Sequence, residues 1–384
     1  LHLFSLTMYN EVRLGYHSDH RKWPRILPEL PTIVIPSVAN IGDASNMPQD
    51  FKNQTFQLVN ILNFQLGDHS IKIGGEVRLW KSDSIFDAYV YGYYYYFNLN
   101  DFLHNRGPGL LVVGADPPDP SPDNPYVPGP ADGEWSQGNT HRKWRGLEGG
   151  LFFQDDWRVS DRLTVSFGLR WEYFGVPEET SGVGINMPAF GTQKGFETKQ
   201  LIEGEYNREG IKYMIFDGRE LMGKGLWDPY YYCFAPKFNF AYDLTGDGKT
   251  SLRGGAGISY DRTFNNTYEN DRFNYPDFTF VTLLGHYYGL PEINPTIPVS
   301  IPKANILNYR VALRWMEKTL KPQQAINWMI GLQRELAPNV AIEINYTGTR
   351  GRRLGVIQKP NRFTGGMLDG HLDGINPYGA PNDV

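Results

Sequence analysis

The chain has 384 residues, a net charge of −5, 14% aromatic residues and one cysteine, Cys233. The charge gives no basic face for nucleic acid, and a lone cysteine excludes an internal disulfide or a cysteine-based metal cluster. No run approaches the ~18 apolar residues of a membrane-spanning helix, whereas a transmembrane β-barrel needs only ~10-residue alternating strands around a polar lumen.

In chain order, the first strand is expected over Leu6 to Tyr16, with Met8, Val12 and Leu14 on one face and Thr7, Glu11 and Arg13 on the other. A long connection from His17 to Lys52 follows, rich in proline. Strands at Gln54–Leu66 and Ser70–Lys81 come next, joined by the tight turn Gly67-Asp68-His69. A second long connection, Ser82 to Arg145, holds the tyrosine run from Tyr89 to Phe97 and the proline-rich stretch Ala115 to Pro130, read as an exposed, extended loop.

The longest alternating hairpin lies between Leu147 and Val176. Leu147, Leu151, Phe153, Trp157 and Val159 alternate with Glu148, Gln154, Asp156 and Arg158. After the turn Ser160-Asp161-Arg162, Leu163, Val165, Phe167, Leu169, Trp171 and Tyr173 alternate with Thr164, Ser166, Arg170 and Glu172. A third long connection runs from Pro177 to Tyr231. Strands then follow at Cys233–Leu244 and Lys249–Asp261. After a fourth long connection, Arg262 to Gln323, come Ala325–Leu336 and Val340–Arg350. The tail from Gly351 to Val384 shows no clear strand.

Nine strands joined alternately by long and short connections point to an all-β fold, an antiparallel transmembrane barrel wall. A soluble Greek-key sandwich has no reason to keep that alternation. Aromatic residues near strand ends, Tyr16, Trp80, Trp157, Tyr173, Tyr242 and Tyr260, suit interfacial girdles.

Motifs that suggest chemistry have structural readings. Thr245 to Thr250 reads TGDGKT, but a phosphate loop would need Gly where Asp243 stands. Gly254 to Gly257 sits within a strand. Asp155 and Asp156 are adjacent and so point to opposite faces, which excludes a carboxylate pair. His17 and His20 lack a third metal ligand, and Asp116, Asp119 and Asp123 suit a soluble loop. The expected lumen charge ladder is Arg158, Arg170, Glu172 and Arg253. The expected substrate contacts are Tyr91, Tyr93, Tyr94, Tyr95, Tyr231, Tyr287 and Tyr288, whose flat apolar faces and polar tips suit sugars, peptides or ferric chelates. Nothing in the sequence calls for a cofactor, a metal or a catalytic residue.

The stretch LFFQDDWRVSDRLTVSFGLRWEYFGVP resembles the signature hairpin of TonB-dependent outer-membrane receptors. FAPKFNFAYDLTGDGKTSLRGGAGISYDR, QQAINWMIGLQRELAPNVAIEINYTGTRGRRL and HSIKIGGEVRLW resemble other hairpins of the Oar-like branch, in the same order. The resemblance implies a barrel of about 22 strands in the bacterial outer membrane, closed by a plug. It implies contact with outer-membrane lipid, energy from a TonB complex through that plug, and an extracellular ligand such as a siderophore, glycan or peptide. No plug, TonB box or carboxypeptidase-regulatory-like domain is recognisable, so residues 1–384 are expected to be part of a barrel. The alternatives are a passive porin or adhesin-like barrel and a soluble all-β glycan-binding or hydrolytic protein. A lipid-facing apolar band separates the barrels from the soluble protein.

Overall fold

A computed structural model of the chain describes residues 1–104, 106–116, 136–183, 225–274, 278–284, 314 and 316–356, with short strand pieces at 188–189, 202–203, 212–215, 367–368 and 371–372. Ten strands form one antiparallel wall in sequence order: β1 (His2–Ser5), β2 (Met8–Trp23), β3 (Gln49–Leu66), β4 (His69–Phe86), β5 (Arg142–Ser160), β6 (Leu163–Phe174), β7 (Cys233–Asp243), β8 (Thr250–Asp261), β9 (Gln323–Ala337) and β10 (Val340–Arg352). β1 and β10 are the two edges. The short strand Glu178–Glu179 pairs with the start of β5, just beyond the end of β6.

The nine expected strands are all present, and the structure adds β1. Leu6 and Thr7 fall in the β1–β2 turn rather than in a strand. β2 continues seven residues past Tyr16, and β3, β4 and β5 also extend further than expected. Alternation fails in the β2 extension from His17 to Lys22 because both faces are polar. His20 and Lys22 of β2 instead reach Asp50 of β3, at 2.6 Å and 3.4 Å.

Cross-strand register explains why the wall is single-sided. Leu62, Ile73, Phe153 and Leu169 lie directly opposite one another across β3 to β6. Trp171 faces Phe234, and Phe167 faces Phe238. This row stays exposed: Phe167 is 39% and Leu169 46% accessible, so no second sheet among the described residues covers them. An apolar band of this extent needs lipid, not water, against it. The 12 residues of β6 span about 40 Å along the strand, which at barrel tilt crosses the ~25 Å apolar band. The 18 residues of β3 and of β4 overshoot it on the side of the long connections.

Glycines let large rings lie flat against the neighbouring strand. Gly146 sits opposite Trp80, and Gly348 opposite Trp328. A Cβ at either position would meet the indole at 2.4 Å or 2.3 Å. The TGDGKT stretch is a hairpin turn: the Asp243 carboxylate accepts from the Gly246 and Gly248 N–H groups, both at 2.9 Å, and both glycines have positive φ.

The long connections are more than extended loops. Pieces from three of them form a second sheet, ordered Thr279–Leu284, Leu110–Asp116, Tyr93–Tyr95, Thr32–Ile35 and Ala39–Ile41. Ile33, Ile35, Tyr94, Tyr96, Leu111 and Val113 are buried in it. The proline-rich residues 117–130 lie outside the described residues. In the tail, Met367–Leu368 pairs with His371–Leu372.

Candidate functional site at the mouth and inner face

The inner face carries linked charges. Arg170 donates through Nε to Glu172 at 2.8 Å and through Nη2 to Glu76, which also accepts from Gln57 at 3.1 Å. Glu148 is bound from two sides, by Arg78 at 3.2 Å and Arg262 at 3.1 Å. Val59, Ile61 and Phe152 lie beside the Glu76–Arg170 pair. Of the expected ladder, Arg170 and Glu172 meet. Arg158 instead pairs with Asp161 in the turn at 2.8 Å, and Arg253 contacts Ser251 at 3.2 Å. The ladder is therefore two separate clusters built on Glu76 and Glu148, residues that alternation alone does not distinguish from other polar wall positions.

Asp155 lies on the apolar face and is only 4% exposed. His69 Nδ1 contacts its Oδ2 at 2.7 Å, and the His69 ring stacks on Trp157 at 5.2 Å. The carboxylate is thus paired at the short-turn rim, while Asp156 faces inward and accepts from Ser166.

The expected tyrosine contacts separate into three environments. Tyr93 and Tyr95 stack at 6.4 Å, and the row continues to Tyr89 at 5.5 Å and Phe97 at 5.9 Å, a ledge ending in a ring 60% exposed. Tyr94 points the other way. It is 4% exposed, and burial raises its phenol to about 12, so it belongs to the loop-sheet core rather than to a ligand surface. The Tyr91 ring is covered by the Arg25 guanidinium at 4.4 Å. Tyr231 stacks on Tyr173 at 5.1 Å, and its carbonyl accepts from Trp171 Nε1 at 2.7 Å. That places Tyr231 on the outer, lipid-side surface, in the girdle. Trp80, expected in the girdle, instead points inward and is 9% exposed. Tyr287 and Tyr288 lie outside the described residues.

The feature with no sequence signal is Arg272. It follows the short helix Asn265–Glu269, in the connection between β8 and β9, and is 0% exposed. Its five N–H donors are all used: Nε to Glu269 O at 2.8 Å, Nη1 to Ser84 O at 3.2 Å and Thr140 O at 3.1 Å, and Nη2 to Ser84 Oγ at 3.0 Å and Glu269 Oε2 at 3.1 Å. One guanidinium thus pins this loop to the end of β4 and the approach to β5. Phe273, Phe278, Ala88 and Val90 form the apolar cluster beside it.

Burial raises the Asp271 carboxyl from 3.8 to about 8, and one of its oxygens has no hydrogen-bond partner. The docked loop therefore holds this proton over a pH range in which an undocked loop would release it. Docking is strongest below the ordinary value and weakens as pH rises toward about 8. Amide exchange in 265–274, corrected for intrinsic rates, is expected to lose protection over that window. Asp271→Asn should flatten the profile, and a flat wild-type profile would refute it.

An antiparallel sheet with an apolar outer face, a charged inner face, short turns on one rim and folded loops on the other is the wall of an outer-membrane β-barrel. The family model for the outer membrane beta barrel domain matches residues 2–382, and the chain belongs to that family. It resides in the bacterial outer membrane. Similar solved structures include the copper transporter OprC (12% identity, 86% of this chain and 34% of that one, TM-score 0.38). The outer membrane transporter YddB from Escherichia coli is 12% identical (90% and 38%, TM-score 0.37). The ferric yersiniabactin uptake receptor FyuA from Yersinia pestis is 10% identical (91% and 34%, TM-score 0.36). The chain spans little more than a third of the length of these structures. A search of curated proteins finds no match.

Proposed function

We propose that this chain is the wall and mouth of an energised uptake receptor for a bulky nutrient, coupled to TonB through a plug. The observation that carries this reading is the inner face. Val59, Ile61 and Phe152 expose apolar surface to the lumen beside the Glu76–Arg170–Glu172 cluster. A water-filled pore gains nothing from such a patch, whereas a protein segment filling the lumen would bury it. The loop sheet and the Tyr89–Tyr93–Tyr95–Phe97 ledge supply a ligand-facing mouth, and Tyr93 and Tyr95 are the contacts favoured there.

Conductance separates this from a passive porin. The full-length protein in a planar lipid bilayer should stay closed. A large, steady ionic current from the intact protein would overturn the uptake reading and favour the porin.

A further inference from the structure

Above the apolar band, the outer face of β2 to β5 turns cationic within two residues. The row Tyr16, Phe56, Leu79 and Leu147 runs straight across these four strands, and all four side chains are exposed. Toward the long connections, the next row is Ser18, Gln54, Lys81 and Arg145, and the one after it His20, Lys52, Asp83 and Lys143. Strand residues two apart share a face, so these rows continue the lipid-facing surface. The Tyr16 hydroxyl accepts from Gln54 Nε2 at 3.2 Å, which sets its ring on the apolar row and its polar tip on the next. Aromatic side chains sit this way at a membrane–water interface. The cationic rows therefore stand at headgroup level. Outer-membrane barrels keep short turns on the periplasmic side and long loops outside, so the leaflet they meet is the outer one.

The carboxylates in this patch are already taken. Asp50 serves His20 at 2.6 Å and Lys22 at 3.4 Å, Asp83 serves His141 at 2.6 Å and Lys143 at 4.0 Å, and Glu178 serves Arg145 at 2.7 Å. Lys52 and Lys81 are both exposed and make no ion pair among the described residues. Lys52 faces Asp83 across β3 and β4, but that carboxylate turns to β5. The two lysines are diagonal neighbours on those strands, about 7–8 Å apart at the backbone and within reach of one anion. Lys81 also stands directly opposite Arg145, and Lys52 opposite His20. Like charges directly opposite destabilise a strand pair, and an anion held between them removes that repulsion.

Several ammonium groups converging on one point suit a phosphate, which offers each of them an oxygen. A free phosphate gains nothing from the apolar row beneath, whereas a phosphorylated lipid uses both surfaces at once. We infer that Lys52, Lys81 and Arg145 form a docking site on the outer wall for the phosphorylated headgroup of an outer-leaflet lipid. Its acyl chains lie along Phe56, Leu79 and Leu147. The site faces away from the lumen and is independent of what the barrel takes up.

The test is native mass spectrometry and thermal melting of the full-length protein in neutral detergent. The probes are bisphosphorylated lipid A and the same lipid after removal of its phosphates. The dephosphorylated form should bind at least about tenfold more weakly. Lys52→Gln combined with Lys81→Gln should weaken the phosphorylated lipid about tenfold, while Lys52→Arg combined with Lys81→Arg stays close to wild type. Lys72→Gln, on the inner face of β4, should change nothing. In lipid-free detergent the double glutamine variant should melt at or above the wild-type midpoint, because the Lys81–Arg145 repulsion is gone. Inorganic phosphate in large excess should not displace the lipid. Equal binding of the two lipids, full affinity in the double glutamine variant, or displacement by inorganic phosphate would overturn the assignment.

Discussion

Arg272→Met is expected to detach the 262–274 segment from the wall. The substitution removes five hydrogen bonds at a fully buried site and leaves Glu269, whose side chain is 11% exposed, without its cation. Breaking a buried pair from one side costs about 3–5 kcal/mol. The Ser84 and Thr140 carbonyls also lose their donor. Lysine should not restore docking, because three donors on one nitrogen cannot reproduce the planar fork that reaches Glu269, Ser84 and Thr140 together. Limited proteolysis should cut the 262–274 segment early in the variant while the β5–β6 hairpin stays protected. Equal resistance in variant and wild type would show that the apolar cluster around Phe273 holds the loop unaided.

The second large effect is on the wall. Leu169→Arg places a cation on the outer face between Phe153 and Pro236. Near the bilayer midplane this costs about 2–4 kcal/mol. Asn239→Arg, on the inner face opposite Ser166 and Gly255, should cost far less. Folding into lipid vesicles under a urea series reads both. Similar losses in the two variants would mean that the faces are not distinguished by lipid.

The wall was legible in the sequence because lipid on one side and lumen on the other enforce a period of two, as in Leu163 to Tyr173. The signal fades where both faces meet water, which is why β2 could be followed to Tyr16 but not to Trp23. Trp80 shows the limit of reading aromatics by position. It lies near the expected strand end, but it shares the parity of Glu76 and Arg78 and so points inward, opposite Gly146 and under the loop residues Leu226, Tyr268 and Met316. The tyrosine run carried more information than its composition suggested. Its alternation splits Tyr93 and Tyr95 from buried Tyr94 and Tyr96. Arg272 and the Glu148 cluster were not legible. Arg272 and Ser84 are 188 residues apart, and only the closed fold brings them together.

The most direct test of the transmembrane wall is a nitroxide scan along β6 in lipid bilayers, in a Cys233→Ser background. Labels at 165, 167, 169 and 171 should be accessible to oxygen dissolved in the lipid. Labels at 164, 166, 170 and 172 should favour a water-soluble nickel chelate or be shielded from both. A strict alternation with period two supports the wall. Protection of 167, 169 and 171 from both quenchers would instead place a second protein layer over them and contradict it.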